Sequence, residues 1–296
     1  MNNTPEISII IVNYNSGQLL LKCLASISEY TNRQTEVIIV DNASQKDELE
    51  LSVAGKIGCL VIRNQQNQGF AKANNLGIAA ANGEYIVLLN PDTELKNEAL
   101  DQMAKYLQDH PDTGVVGPKV LNADSSLQAS ARKFPSISTV FFGRSTFLTK
   151  LFPNNVMSKR DLLCADHNSV EPLEVDWVSG ACLMTTRKAM EKVGLLDEEF
   201  FMYWEDADWC KRFKARGFKV VWLPSAEVYH LAGESSKQLP WKTMREFNKS
   251  VLYYYKKHYR TNVFLDEIVI FGLFIRGVLK IIGIITMSLP RRRESR

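Results

Sequence analysis

Three acidic residues lie within four positions of the segment WEDADW, residues 204–209. They are Glu205, Asp206 and Asp208, at the start of a predicted helix. Acids in the first turn are favoured by the helix dipole, so two of the three could serve the helix alone. Three acids between two tryptophans exceed that need. One carboxylate facing a hydroxyl could act as a general base, and tryptophan faces can pack on sugar rings.

Two further acids each follow a predicted buried strand. Asp41 could accept a hydrogen bond from the base or ribose of a nucleotide, with Tyr14, at the end of the neighbouring strand, stacking on the base. Asp92, in LLNPDT, could hold Mg²⁺ or Mn²⁺ against a diphosphate, because hard cations prefer oxygen ligands. The alternatives are structural. Asp41 would be a helix N-cap or an Asx-turn residue, and Asp92 would be an N-cap.

Two weaker signals concern Gly69 and His230. Gly69, in NQGFAKANNLG (residues 67–77), precedes a predicted helix whose N-terminus would attract phosphate oxygens. The alternative is a turn followed by a helix with small packing residues. His230 ends a predicted strand, and a lone histidine is more often a hydrogen-bonded residue than a metal ligand.

These residues require a scaffold that brings strand ends together. Continuous β-branched runs, ISIIIV and VIIV, predict buried parallel strands joined by a helix in a right-handed crossover. The apolar pattern predicts strands at 7–12, 37–40, 61–62, 85–89 and 115–116 and helices at 19–29, 70–81 and 97–110. The fold class is therefore α/β, with a doubly wound, mostly parallel sheet whose ligands bind beyond the carboxyl ends of the strands.

The second half of the chain is less regular. Residues 133–172 predict a long functional loop. Regular elements then return, with strands at 175–185, 218–222 and 227–230 and helices at 187–193, 205–216 and 241–259. We expect residues 1–117 to bind the nucleotide, residues 118–235 to complete the same domain with the catalytic half, and residues 236–296 to form a helical extension.

Composition limits the class of protein. Hydrophobic residues make up 45% and charged residues 23% of the 296 positions, which excludes disordered, collagen-like and coiled-coil chains. The first residues, MNNTPEISIIIVNYN, lack the basic segment and the long apolar run of a signal peptide. We expect a cytoplasmic chain whose cysteines are reduced thiols. They are Cys23, Cys59, Cys164, Cys182 and Cys210.

The C-terminal tail is basic and apolar. From Trp241 onward there are 12 Lys/Arg and 4 Asp/Glu residues. The apolar stretch 268–289 could span a bilayer, but Arg276 and Lys280 would each cost about 2.5–3.5 kcal/mol near its centre. A helix lying on an anionic membrane surface is favoured, which makes the chain peripheral on the inner face of the cytoplasmic membrane. The alternative is a packing helix of the enzyme itself or of a homodimer, and no nucleic-acid partner is expected.

Seven motifs, taken together, resemble the family 2 glycosyltransferases of the GT-A fold, and within them the bacterial rhamnosyltransferase-like branch. They are SIIIVNYN at 8–15, VIIVDNAS at 37–44, NQGFAKANNLG at 67–77, LLNPDT at 88–93, WVSGACLMTTR at 177–187, FFMYWEDADWCKR at 200–212 and PSAEVYH at 224–230. The resemblance covers about residues 6–232.

The resemblance implies a role for each matching residue. Asp41 would bind the base, the region Asn90 to Asp92 would hold the metal and diphosphate, Asp206 would deprotonate the acceptor, and His230 would complete the metal site. Asn90 stands where many members carry the first aspartate of D-x-D. We interpret Asn-Pro-Asp as a mark of the rhamnosyl- and galactofuranosyl-like members. The implied cofactor is a divalent metal, Mg²⁺ or Mn²⁺.

The implied activity is an inverting transfer of a sugar from a nucleotide-sugar donor, dTDP- or UDP-linked, to a glycan or polyprenyl-diphosphate-linked acceptor. L-rhamnose is the sugar implied by the branch, and galactofuranose, GlcNAc and glucose are the alternatives. Donor contacts are expected from Tyr14, Asp41, Asn67, Gly69, Asn74 and Asn90. Acceptor contacts are expected from Trp177, Gly180, Trp204, Glu205 and Asp208.

Two other classes of protein remain open on sequence. A nucleotidyltransferase would normally carry a glycine-rich basic loop after the first strand, whereas NYNSGQ has one glycine and no basic residue. A non-catalytic nucleotide-sugar-binding protein would be consistent with Asn90, but the intact WEDADW segment argues against it.

Overall fold

The structure is a computed structural model that describes residues 4–135, 170–231, 240–259, 267 and 270–272. The chain divides into two compact units, one of Met1–Phe134 and Leu162–Ser250 and the other of Pro135–Asp161 and Val251–Arg296. Most of the predicted loop 133–172 and of the apolar stretch 268–289 lies outside the described residues, as does Cys164. The four other cysteines are free thiols, as expected.

Four parallel strands form one half of the sheet, with three helices between and beside them. Continuous burial of β1 matches the unbroken apolar run that predicted it. The strands are β1 (Ile7–Asn13), β2 (Thr35–Asp41), β3 (Leu60–Arg63) and β4 (Tyr85–Leu89). The helices are α1 (Gln18–Tyr30), α2 (Glu48–Lys56) and α3 (Phe70–Ala80). Helix α2 was not predicted.

The remaining elements complete a mixed sheet in the order β3-β2-β1-β4-β10-β6-β11-β5, with β8 beside β11. Strand β10 runs antiparallel to both of its neighbours, and β6 and β11 are parallel. The elements are β5 (Thr93–Lys96), α4 (Ala99–Asp109), β6 (Thr113–Leu121), β7 (Ala131–Arg132), β8 (Leu173–Glu174), β9 (Trp177–Val178), β10 (Cys182–Thr186), α5 (Arg187–Val193), α6 (Glu205–Ala215), β11 (Lys219–His230) and α7 (Pro240–His258).

Both faces of the sheet are covered by apolar cores. Side chains of β1 alternate between them, with Ile9 and Ile11 in one core and Ile10 and Val12 in the other. Full burial of each such side chain contributes about 1.5–3 kcal/mol. Two-sided burial is the reason that the strand reads as a continuous apolar run. Most of the predicted α/β scaffold is confirmed, although its sheet is mixed.

Three predicted elements differ in detail. A strand, β5, follows Asp92 directly, so the N-cap alternative for Asp92 was wrong. The single strand predicted at 175–185 is divided into β9 and β10 by the turn around Gly180. The two strands predicted at 218–230 are one, β11, with a register shift between Leu223 and Glu227. Among the described residues, no helix has the length and apolar composition needed to cross a bilayer.

Candidate active site

Asp41 lies at the carboxyl end of β2, directly beside Asn13 of β1. The Asn13 amide donates to Asp41 Oδ1 at 3.0 Å and to Asp47 Oδ2 at 3.0 Å, and the Ser44 amide donates to Asp41 Oδ2 at 3.2 Å. The Ser44 contact spans three residues and is thus a local side-chain-to-backbone bond, and neither the two-residue Asx turn nor the cap of α2, which begins at Glu48. Asp41 therefore shapes the turn at the sheet edge. Tyr14, half-buried, follows Asn13 at this edge.

Asn67 belongs to the same edge through a second asparagine, Asn42. The Asn42 amide donates to Asn67 Oδ1 at 3.0 Å and to the Gly69 carbonyl at 3.1 Å. Asn67 Oδ1 also accepts from the Gly69 amide at 2.9 Å. The NQGF turn is thus fixed to the end of β2, beside Asp41.

The structure gives a reason for glycine at position 69 that the sequence did not suggest. Its φ is +89°, and a Cβ there would stand 2.5 Å from the Phe201 carbonyl oxygen. That oxygen accepts a hydrogen bond of 2.6 Å from the Phe70 amide, at the start of α3. The glycine accommodates close approach of the protein's own backbone, and its predicted donor contact stays a prediction. The contact joins the NQGF turn to the segment before α6.

Asn74 lies within α3 and is 1% exposed. Its amide nitrogen donates to the Phe70 carbonyl at 2.9 Å, which ties the side chain to its own helix. The donor contact expected from Asn74 stays a prediction.

Asp92 and His230 come together, as predicted, although 138 residues separate them in sequence. Strands β5 and β11 pair with Thr93 opposite His230, which brings His230 Nε2 to 3.2 Å from Asp92 Oδ1. Neighbouring ligands of an octahedral ion that lies about 2.1 Å from each are about 3 Å apart, so the two atoms fit one divalent cation. Within the described part of the chain, no group of three or more His, Cys, Asp or Glu side chains forms a larger metal cluster.

Asn90 and Gln128 complete the surroundings of the histidine. Asn90 Nδ2 lies 3.3 Å from His230 Nε2, and Gln128 Oε1 lies 3.0 Å from His230 Nδ1. Gln128 was not predicted, because it lies in an irregular segment after β6 and only the tertiary fold brings it to β11. The local sequence carries no signal for it.

Asp206 lies at the first turn of α6, beside the turn between β9 and β10. Its Oδ2 accepts from the Gly180 amide at 2.9 Å and its Oδ1 from the Ala207 amide at 2.8 Å. Burial raises the pKa of this carboxyl, while the two amides and the Arg132 guanidinium oppose the rise. A carboxylate held by two backbone amides, with a raised pKa, is equipped to accept a proton.

The two neighbouring acids of WEDADW have different surroundings. Glu205 is 5% exposed, its Oε2 has no hydrogen-bond partner among the described residues, and burial followed by the Asp206 charge raises its pKa well above the usual value. Asp208 is fully buried and forms an ion pair of 2.9 Å with Arg212, one turn along α6. We therefore correct Asp208 from an acceptor contact to a structural residue of this helix.

The aromatic residues beside Asp206 are held by distant parts of the chain. Tyr203 and Trp204 both have left-handed backbone, with φ of 70° and 74°, and both rings pack edge-on against Phe247 of α7. Such conformations cost about 1–3 kcal/mol each and concentrate at functional sites. Trp177 has a different neighbour: the Arg132 guanidinium lies 5.2 Å from the centre of its ring.

These features converge on one class of protein. The doubly wound sheet places Asp41 at the end of β2, Asp92 and His230 at a spacing that fits a divalent cation, and the carboxylate of Asp206 on two backbone amides. The model of the family described as "Glycosyl transferase family 2" matches residues 8–193. The chain belongs to this family, and it is a glycosyltransferase.

Individual relatives agree with the family. The N-acetylglucosaminyl-diphospho-decaprenol L-rhamnosyltransferase of Mycobacterium tuberculosis is 29% identical over 260 residues, 83% of each chain. The dTDP-rhamnosyl transferase RfbF of Shigella flexneri is 25% identical over 240 residues, 79% of this chain and 72% of that one. These relatives confirm the rhamnosyltransferase-like resemblance.

Solved structures agree on the fold. The Mannosyltransferase PcManGT from Pyrobaculum calidifontis, in complex with GDP-Man and Mn²⁺, superposes with a TM-score of 0.53 at 14% identity, covering 92% of this chain and 80% of that one. The likeness confirms the GT-A fold.

Proposed function

We propose that this glycosyltransferase moves L-rhamnose from dTDP-rhamnose, with inversion, to a glycan or polyprenyl-diphosphate-linked acceptor in the synthesis of a cell-surface polysaccharide. The names of the two relatives, both rhamnosyltransferases, support the sugar and the dTDP-linked donor, and the N-acetylglucosaminyl-diphospho-decaprenol acceptor of the mycobacterial relative supports a lipid-linked acceptor. The observation that carries the chemistry is Asp206, held by two backbone amides at the start of α6.

Asp206 is the general base in this proposal. It would remove the proton from the acceptor hydroxyl as that oxygen attacks the anomeric carbon. A well-placed general base contributes about 10²–10⁴-fold to the rate. The raised pKa of Asp206 suits the task, because a more basic carboxylate accepts the proton more readily.

The departing nucleoside diphosphate would be bound at Asp92 and His230, in the segment that Asn90 and Thr93 join to Ala181, next to the Gly180 that holds Asp206. Asp92 and His230 would hold Mg²⁺ or Mn²⁺, which supplies electrostatic stabilisation to the diphosphate when it is bound. Asn90 stands beside His230 and adds an uncharged amide. Asp41, Tyr14 and Asn67 would contact the nucleotide at the ends of β1 and β2.

The acceptor would lie over the turn at Gly180 and against Trp177, Trp204 and Glu205. Trp faces offer large apolar surfaces to sugar rings. Arg132, beside Trp177, would suit an acceptor with a diphosphate. We further propose that residues 1–117 and 118–235 act as donor and acceptor halves, and that the basic tail, 241–296, binds an anionic membrane surface on the cytoplasmic side.

The test combines product analysis with one substitution. The purified enzyme is incubated with a panel of nucleotide sugars and an acceptor, and release of nucleoside diphosphate is measured. dTDP-rhamnose should be the best donor. Preference for another nucleotide sugar would overturn the rhamnose assignment, and release of inorganic diphosphate would instead indicate a nucleotidyltransferase.

Asp206→Asn should abolish transfer, while donor binding measured by calorimetry stays within a few-fold of wild type, because the base acts on the acceptor. Glu199→Gln, an exposed acid in the segment before α6, serves as the control and should retain activity. Full transfer by Asp206→Asn would contradict the assignment. Loss in Glu205→Gln alone would move the base to the neighbouring acid.

A further inference from the structure

We propose that Gln128 is a positioning residue that holds His230 in the tautomer with hydrogen on Nδ1, and so presents a bare Nε2 to a divalent cation. The inference rests on the proposed metal site at Asp92 and His230. It assigns the control of that site to a glutamine far from both ligands in sequence.

Gln128 binds residue 230 at two points. Its Nε2 donates to the His230 backbone carbonyl at 2.6 Å, and its Oε1 lies 3.0 Å from His230 Nδ1. A carbonyl oxygen can only accept, so the amide nitrogen must be the group that faces it. The amide oxygen is consequently the group that faces the ring, and an oxygen there requires a hydrogen on Nδ1.

Asn90 fits the same tautomer from the other side of the ring. Its Nδ2, which can only donate, lies 3.3 Å from His230 Nε2. The assignment of the tautomer itself rests on Gln128, whose amide orientation is fixed by the His230 carbonyl. An aspartate at position 90 would place an acceptor there instead, which gives the Asn-Pro-Asp sequence a physical consequence.

The lone pair on Nε2 then faces a carboxylate. Asp92 Oδ1 lies 3.2 Å from Nε2. Both side chains are largely buried, so water screens the interaction of these two atoms only weakly. Two acceptor atoms at this distance repel each other unless a positive charge lies against both. A divalent cation supplies that charge, and the partner on the far nitrogen of a ligating histidine is known to orient the ring and tune its affinity.

The experiment measures Mn²⁺ affinity of the full chain by the electron paramagnetic resonance signal of free Mn²⁺, without substrate. Gln128→Met removes both polar contacts at nearly constant volume and should weaken binding by about 10–100-fold. Gln128→Asn, which is one methylene too short to make both contacts, should do the same. Ser126→Ala, in the exposed turn two residues away, is the control and should bind like wild type.

A second measurement follows the tautomer itself. Nitrogen-15 chemical shifts of His230, assigned by comparison with His230→Gln, should show hydrogen on Nδ1 in wild type and a mixture of tautomers in Gln128→Met. Mn²⁺ affinity within twofold of wild type in both Gln128 variants, with the tautomer unchanged, would overturn the inference. If wild type binds no Mn²⁺, or His230→Gln binds it equally well, the proposed metal site itself is wrong.

Discussion

Asp206 is subject to two opposing electrostatic effects. Burial raises its pKa, because the charged form loses hydration, and the Arg132 guanidinium lowers it by attraction. A base must be deprotonated to accept a proton, so if Asp206 is the base that we propose, this balance sets the acid limit of activity. The guanidinium lies over Trp177, on the side where we place the acceptor.

Arg132→Gln should raise the pKa of Asp206 further, because the attraction that favours its charged form is lost. A larger fraction of the base is then protonated at a given acidic pH, so the acid limb of kcat/KM should move to higher pH. The pH profile of transfer measures the shift. Lys133→Gln, a change of the exposed neighbouring cation, should leave the limb in place, and an unmoved limb in Arg132→Gln would contradict the argument.

Individual site residues differ in how far their sequence could predict them. The strand positions of three residues were predictable, because each ends or follows a strand and the predicted sheet brings those strand ends together. They are Asp41, Asp92 and His230. Asp47 and Gln128 were missed because only tertiary packing gives them their partners. Asn74 and Asp208 lie in helices whose orientation the local sequence does not specify, and both face the protein interior.

At the scale of elements, the strands with continuous β-branched runs were predicted well. Strands that are buried on both faces have continuous apolar sequences, which distinguishes them from strands with one exposed face. Strand β5 was missed because its sequence, TELK, is short and contains one apolar residue, with alternate burial. That omission also produced the wrong N-cap alternative for Asp92. The joins between β9 and β10 and within β11 depend on bulges and turns that hydropathy does not report.

Gly69 contacts the segment before α6, and this contact predicts that a larger residue at position 69 lowers the free energy of unfolding. Gly69→Ala should destabilise the fold by more than about 1 kcal/mol, since it adds strain at positive φ to a clash with the Phe201 carbonyl. Urea unfolding gives the free energy. Gly17→Ala is the matched control, with φ of +55° and nothing within 4 Å of its Cβ. Equal losses in the two variants would show that the clash contributes nothing.

On the scale of the whole molecule, the two proposed halves of the chain pair in the sheet at β4–β10 and at β5–β11. The carboxylate of Asp92 and the imidazole of His230 are contributed by different halves of the sequence. Assembly of the metal site should therefore require the complete sheet.

Asp92→Ala should remove metal-dependent donor binding, because His230 alone leaves the cation with one protein ligand from this pair. Calorimetric titration of the donor with and without Mn²⁺ tests this. The control, Asp124→Ala, removes an exposed acid in the turn after β6 and should keep the metal dependence. Undiminished turnover in excess EDTA would exclude a metal-assisted leaving group.

The basic tail predicts salt-sensitive binding to membranes. Each Lys or Arg near an anionic surface contributes about 1 kcal/mol, and salt screens the attraction. The full chain should sediment with anionic liposomes and be partly released by high salt. Replacing Arg291, Arg292 and Arg293 with glutamine should weaken sedimentation, while neutral liposomes serve as the control. Binding unaffected by salt or by the triple substitution would contradict a peripheral attachment.

The contact between Gly69 and Phe201 limits how such enzymes can be recombined. A chimera joined at residue 117 would take the two partners from different parents. The acceptor parent would contribute the carbonyl at 201, and the donor parent would contribute the small residue at 69 that lets it approach. Only donor parents with glycine at that position would be compatible. Glycine at position 69 is therefore one requirement for exchanging the first half of the chain, and it is set by a backbone contact across the join.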